Sequence, residues 1–322
     1  MATRNTNTNA TSGYWDEMFI NAYTTGYKHV MQETRDVYSG ATMVDVLQGE
    51  NKSYDFVGTI ELIEKTDRFG NIPIQDVTHN RRWMSPVYYR RGVYVDDEDA
   101  IAMHADPSSD YIQAIAKGVI RKKNDVIYDA FEANVNGGDN PGDDTYAFSD
   151  TLFTSGSANG RTIAHDTTNA FAAGGTSTGL TIEKLILARE ALVDLHNDPN
   201  EVFHFVGSQR QVSQLIREAE TQSIDTSPFK SLAVGNVPEF LGFYIHVDHN
   251  VVVGTTNDVG GDTNIYPCYA WSKQGILFAQ HQSPIFKVDW LPEKAIWQIS
   301  CRVGMNAIRM DENCIIKIEC VA

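Results

Sequence analysis

The chain has 322 residues, 42% of them hydrophobic, and a formal net charge of −16 at neutral pH. That length and apolar content supply one large core or two modest ones, and they exclude a disordered chain. The negative charge excludes general gripping of a polyanion, which needs a basic surface broad enough to neutralise phosphates.

No stretch nears 18 uninterrupted apolar residues, so no membrane span is expected. The opening MATRNTNTNATSGYW is polar and lacks the apolar segment of a secretory leader, so none is expected. Taken from there, residues 1–13 read as a flexible arm. Phe19, Tyr23, Tyr27, Val30 and Met31 then mark a short helical stretch.

Residues 54–95 change character. YDFVGTIELIEK, TDRFGNIPIQDVTHNRR and WMSPVYYRRGVYV are β-rich, with a turn signal at Phe69, Gly70 and Asn71. The spacing predicts a long two-stranded excursion. An isolated hairpin is marginal in water, so its apolar residues need a partner, either the body of the protein or another subunit.

A long helix is predicted next, over 106–136. Asp106 suits its N-cap and Pro107 its first position. Ile112, Ile115, Val119, Ile120, Val126, Ile127 and Phe131 recur at helical spacing, and Asn136, Gly137 and Gly138 end the pattern. NGGDNPGDD then reads as a loop, and residues 155–180 form a stretch rich in Gly, Ser, Thr and Ala.

An α/β region follows. Thr181 caps a helix running to His196, EVFHFVGS is a short buried strand, and 209–220 is a second helix. FYIHVDHNVVV is another strand. From Tyr266 onward the chain reads as strands, with turns at 291–294 and 310–313.

Few residues carry a chemical signature. There is no GxSxG, no P-loop, no GxGxxG and no HExxH. Ser208 follows a strand, but it reads as a helix N-cap rather than a nucleophile. His246 and His249 are three apart, so a strand sends them to opposite faces and they make a poor metal pair. Asp139, Asp143 and Asp144 lack the spacing and the terminal Glu of a calcium loop. The cysteines are Cys268, Cys301, Cys314 and Cys320; none forms a CxxC pair, so they read as buried thiols, with Cys314 and Cys320 on one strand face. No catalytic residue, metal ligand or cofactor is assigned.

The most charged stretch is HNRRWMSPVYYRRGVYVDDED, residues 79–99. Arg81, Arg82, Arg90 and Arg91 flank aromatic residues, and Asp96, Asp97, Glu98 and Asp99 follow. Arginine forks onto carboxylates as readily as onto phosphates. In an acidic chain the four arginines read as partners for carboxylates rather than as a nucleic-acid grip, and the four acids as a solvated face or a partner for cations.

The order of elements resembles the major capsid proteins of tailed bacteriophages, with the Hong Kong 97 fold. The residues that carry the resemblance are DTSPFKSLAVGNVPEFLGFYIHVDHNV, AWSKQGILFA, FKVDWLPEKAIWQIS and GMNAIRMDENCIIKIEC, in that order. The resemblance implies an α+β chain of four parts. These are an N-terminal arm (1–50), an extended β-hairpin loop (51–95), a peripheral domain with a spine helix (96–145 and 280–322), and an α/β axial domain (146–279). It implies a non-enzymatic shell protein that assembles through hexamers and pentamers into an icosahedral capsid around double-stranded DNA. The implied partners are many copies of itself, a separate scaffolding protein, a portal protein at one vertex and, in some particles, a decoration protein; on this resemblance Arg81, Arg82, Arg90, Arg91, Asp96, Asp97, Glu98 and Asp99 become candidate contacts between copies. DNA would be enclosed without sequence-specific binding, no membrane would be involved, and assembly would take place in the host cytoplasm. Two other readings remain: an encapsulin-like compartment shell, and a soluble enzyme or nucleic-acid-binding protein.

Overall fold

The computed structural model describes residues 34–58, 60, 62–66, 68, 71–74, 76–77, 79–96, 108–148, 161–165, 178–196, 201–221, 239–252 and 264–321. Residues 1–33 of the expected arm, with the helical stretch near Phe19, and Asp97, Glu98, Asp99 and the cap residues Asp106 and Pro107 lie outside them. The chain divides into two compact units, and three long strands and one helix have residues in both.

The larger unit comprises residues 33–90, 117–285 and 302–322. Its centre is a six-stranded mixed sheet ordered β7-β14-β11-β8-β10-β9. The strands are β7 (Thr162–Ile163), β8 (Phe203–Gly207), β9 (Glu239–Phe240), β10 (Phe243–Val247), β11 (Ile265–Ser272) and β14 (Ile315–Val321). All five residues of β8 are buried, as a strand covered on both faces requires. β8 and β10 run parallel, whereas β11 runs antiparallel to both β8 and β14.

Two helices belong to this sheet, α2 (Ile182–His196) and α3 (Gln209–Thr221). Each starts where its cap predicts. Thr181 Oγ1 accepts from the Lys184 amide at 3.3 Å. Ser208 Oγ accepts from the Arg210 amide at 3.3 Å, and Gln211 Oε1 accepts from the Ser208 amide at 3.1 Å. Serine 208 is thus a helix cap.

The phrase EFLGF makes the β9–β10 turn. Leu241 and Gly242 both have positive φ, 50° and 78°, the pattern of a two-residue type I′ hairpin. A Cβ at Gly242 would also come within 3.2 Å of the Arg189 guanidinium, so glycine answers both needs.

Helix α1 runs over Ser108–Asp129, 22 residues, or about 33 Å. It stops seven residues short of the expected end. Phe131 leaves the helix to stack on Tyr269, with ring centroids 4.7 Å apart, and to meet Trp271 edge-on at 4.9 Å. Val135–Gly137 then forms β5 and Asp144–Tyr146 forms β6, so the expected loop at 136–144 is a hairpin. The described helices include none long and apolar enough to cross a membrane.

β2 (Lys52–Val57) and β3 (His79–Met84) pair antiparallel and extend the β5–β6 hairpin into a sheet ordered β2-β3-β5-β6. The two-stranded excursion is therefore present, but it ends at Met84. Ser85 and Pro86 interrupt the returning run, because proline offers no amide to a ladder. β4 (Val87–Asp96) then joins another sheet, ordered β1-β12-β13-β4, with β1 (Met43–Val46), β12 (Ile276–Leu291) and β13 (Ile296–Arg309).

In the smaller unit the described residues are 91–96, 108–116 and 286–301. Its β12–β13 turn falls at 292–295, one residue later than the 291–294 the sequence predicts, and Ala295 takes φ of 52°. Trp290 and Trp297 meet edge-to-face at 5.0 Å across this hairpin, and Lys294 Nζ lies 5.4 Å from the centre of the Tyr94 ring.

Candidate functional site

The β2–β3 excursion is rooted at one end and bare at the other. At its root, Asp45 of β1 accepts from Lys52 Nζ at 2.5 Å and from Tyr54 Oη at 2.9 Å. The Lys52 hydrogen bond is the chief reason that the Asp45 carboxyl lies below the usual carboxylate range. Trp83 Nε1 donates to the Gly138 carbonyl at 2.9 Å, and Met84 is buried with Leu47, Val135, Leu277, Ile308 and Met310.

Further out, the aliphatic residues have no cover. Leu62 is 98% exposed and Ile74 96%, with Ile60, Ile63 and Ile72 also open to solvent. Scattered exposed aliphatics are ordinary on a folded chain. Five on one excursion with no fold of its own is the signature of an interaction surface.

Arg81 and Arg82, neighbours on β3, point to opposite sides. Arg81 forks onto Asp55 across the hairpin, at 2.5 Å from Nε and 3.3 Å from Nη2, in an exposed position. Its hydrogen bond is the main cause that holds the Asp55 carboxyl below its ordinary range.

Arg82 is 7% exposed and lies in a polar cluster inside the chain. Its Nη2 donates to Glu312 Oε2 at 2.5 Å and its Nη1 to the Arg309 carbonyl at 2.8 Å. The aromatic rings of Phe56 and Tyr146 flank the guanidinium at 5.9 and 5.4 Å. Arg309, fully buried, donates from Nη1 to the carbonyls of Phe131 and Ala133 at 2.8 and 3.1 Å and from Nη2 to that of Tyr146 at 3.2 Å. Burial pushes the Glu312 carboxyl up, but the Arg82 hydrogen bond and the charges of Arg82 and Arg309 outweigh it, and the net direction is down. The expectation that Arg82 meets another copy is therefore corrected. Its face of β3 is covered by the chain's own C-terminal residues, and its charge is matched there.

Arg90 and Arg91 are exposed on β4 and make no ion pair among the described residues. Asp96 is exposed at the end of the same strand. Asp97, Glu98 and Asp99 lie outside the described residues.

The other candidates resolve as follows. His204 and His246 stand on adjacent strands with Nδ1 and Nε2 3.1 Å apart, and both rings lie against Trp271. Burial is the first cause of a fall in both imidazoles to about 4, so they are neutral at neutral pH. His249 is instead exposed beside Asp248. No cluster of three metal-binding side chains occurs among the described residues. Asp143 accepts from Asn140 within the β5–β6 turn. All four cysteines are buried and free; Cys314 lies in the 3-10 turn before β14, not on the strand with Cys320. A hollow of about 470 Å³ is lined by Gly49, Glu50, Asn51, Ser85, Pro86, Tyr88 and His281. There Ser85 donates to Asn51 and His281 Nδ1 lies on the Leu47 carbonyl, so serine and histidine form no catalytic pair.

Sequence reasoning missed Glu312 and Arg309 as partners of the loop. The signal was faint: two charged residues at the ends of a turn between strongly apolar strands.

The family model described as phage capsid protein matches residues 16–322. No curated protein matches the sequence. Among solved structures, the capsid of cyanophage P-SCSP1u is 15% identical with a TM-score of 0.67, over 94% of this chain and 93% of that one. The capsid of cyanophage Pam1 is 12% identical with a TM-score of 0.66, over 95% and 97%. The head of Helicobacter pylori bacteriophage KHP40 is 7% identical with a TM-score of 0.66, over 99% of each chain.

Proposed function

Because this chain belongs to the phage capsid protein family and is a major capsid protein with the Hong Kong 97-type fold, we propose that its copies assemble through hexamers and pentamers into an icosahedral shell around double-stranded DNA. The family match favours this reading over a cellular compartment shell. The observation that carries it is the excursion between β2 and β3. Leu62 and Ile74 are almost fully exposed at the far end of a hairpin rooted by Asp45, Lys52 and Arg82. A segment that cannot bury its own apolar residues gains stability on a neighbouring copy. Heterologous contacts of this kind, repeated around an axis, close into rings.

The four-part division belongs to the same proposal: arm 1–50, extended loop 51–95, peripheral domain 96–145 and 280–322, and axial domain 146–279. Arg81, Arg90, Arg91 and the acids Asp96, Asp97, Glu98 and Asp99 lie at contacts between copies. The net charge of −16 supports a container that encloses DNA without holding it by base contacts. Assembly proceeds in the host cytoplasm with a separate scaffolding protein and a portal protein, and some shells carry a decoration protein. Electron microscopy and light scattering of the purified chain, alone and with its scaffolding protein, test this. Closed shells are expected, and a strictly monomeric species under every assembly condition overturns the proposal.

A further inference from the structure

Residues 35–42, which lead into β1, form a strap within the larger unit. On one side it is held by α1. Asn124, fully buried, accepts from the Val37 amide at 3.3 Å and donates to the Arg35 carbonyl at 3.0 Å. Lys123 Nζ donates to Asp36 Oδ2 at 2.5 Å. On the other side it is held by the six-stranded sheet. Trp271 Nε1 of β11 donates to the Ala41 carbonyl at 2.9 Å, and Tyr38 Oη donates to Asp248 Oδ2, just beyond β10, at 2.6 Å.

The histidine pair of β8 and β10 lies against this strap. The Tyr38 ring stacks on that of His246 with centroids 6.5 Å apart. With His204 Nδ1 and His246 Nε2 3.1 Å apart, the two facing nitrogens hold one proton between them. A second proton would set two N–H groups head to head. Among the described residues the histidines that lie within ion-pair distance of a carboxylate are His165 and His249, not these two. The nearby acids are engaged elsewhere. Asp248 takes Tyr38, the Asn250 amide at 3.0 Å and the exposed His249 at 3.5 Å, and Asp36 takes Lys123. Arg35 of the strap and Lys273 after β11 add positive charge, and Tyr244 of β10 is a further titratable neighbour, with its ring 5.9 Å from that of His204. Burial, the first cause, lowers both imidazoles to about 4, against a smaller upward pull of the Val37 backbone on His246.

We propose that the His204–His246 pair is an acid-sensitive latch for the strap: protonation of His246 breaks its contact with His204 and frees residues 35–42 from the sheet while the sheet stays folded. Opening uncovers His246 and lets it return towards its ordinary 6.5. The closed strap is therefore favoured at neutral pH and loses that advantage as pH falls from 6.5 towards 4. Residues 1–33 join the body through the strap, so their attachment is firm at neutral pH and loosened in acid. This inference does not depend on how the copies assemble.

Amide hydrogen exchange of the full chain tests it, read by mass spectrometry at pH 7 and pH 5 and corrected for the intrinsic pH dependence of exchange. Opening of residues 35–42 is expected to rise by about 10- to 30-fold from pH 7 to pH 5. At pH 5 it is expected to exceed the opening of β11 and β14 by about tenfold or more, because the strap opens without global unfolding. The His246→Phe variant is expected to lose the rise. Opening of 35–42 that does not rise in acid, that equals the opening of β11 and β14 at pH 5, or that rises undiminished in the variant overturns the proposal. The comparison of strap with sheet needs no variant, so it decides even if His246→Phe does not fold.

Discussion

Arg82 Nη2 and Glu312 Oε2 lie 2.5 Å apart across a sequence separation of 230 residues. The pair joins the returning strand of an outlying hairpin to the turn before the last strand of the chain. Both side chains are nearly buried, so the pair is hardly screened by solvent. It fixes where the hairpin leaves the body, and the exposed end of the excursion is aimed from that root.

Removing one partner should be harsher than removing both. Glu312→Gln leaves Arg82 and Arg309 with unmatched charge inside the chain, at a cost of about 3–5 kcal/mol. Arg82→Met combined with Glu312→Leu should cost less than the sum of the single changes. Urea unfolding of the two single variants and the double variant measures the coupling, and additive losses would sink the argument.

The same carboxylate sets an acid limit. The Glu312 pKa is lower in the folded chain than its ordinary 4.5. Its contribution is therefore present above that value and is lost as pH falls through the folded pKa. Stability measured from pH 6 down to pH 3 should show this acid loss for the parent chain and a shallower slope for Glu312→Gln.

His204 and His246 act at milder pH. Both fall from 6.5 to about 4 on folding, with burial the leading cause. Between those values the unfolded chain takes up protons that the folded chain refuses, so stability falls as pH falls from about 6.5 towards 4. Two and a half units correspond to roughly 3–4 kcal/mol for one histidine. The charged groups that act on the pair are Arg35 and Lys273, and both disfavour the protonated imidazoles. His246→Phe should flatten the slope of unfolding free energy between pH 7 and pH 5, and an unchanged slope counts against the reading.

Ala295 holds φ of 52° in the β12–β13 turn. An L-residue with a Cβ is disfavoured there by about 1–2 kcal/mol. Ala295→Asn or Ala295→Gly should raise stability by up to about 1 kcal/mol, the glycine gaining less because it is freer when unfolded. Denaturant midpoints for the two variants, at constant m-value, check it.

Charge reversal separates surface arginines from the internal one. Arg90→Glu with Arg91→Glu should lower particle yield while leaving monomer stability within about 0.5 kcal/mol of the parent. Leu62→Asp with Ile74→Asp should do the same. Arg82→Glu should instead unfold the chain, because it sets two carboxylates against each other in the interior. Particle counts by microscopy, read beside monomer melting curves, distinguish the two classes. Unchanged yield in the first two variants would remove these residues from the contacts.

Much of the architecture was legible in the sequence because its signals are local. Thr181 and Ser208 start helices through bonds to amides two or three residues away, whereas the hairpin at Leu241 and Gly242 was read only as a loop entering a strand. The turns at 292–295 and 310–314 are equally local. Where α1 stops was not legible. Its helical spacing runs on past Asp129, but Phe131 gains more against Tyr269 and Trp271, which lie far along the chain. Nor was the break at Pro86 read as the point where the chain changes sheets. The clearest case is Arg81 beside Arg82. The sequence determines that neighbours on a strand point to opposite sides. Only the tertiary structure decided which side was covered, because Glu312 reaches Arg82 from the other end of the chain and a pairing at that distance leaves no local trace.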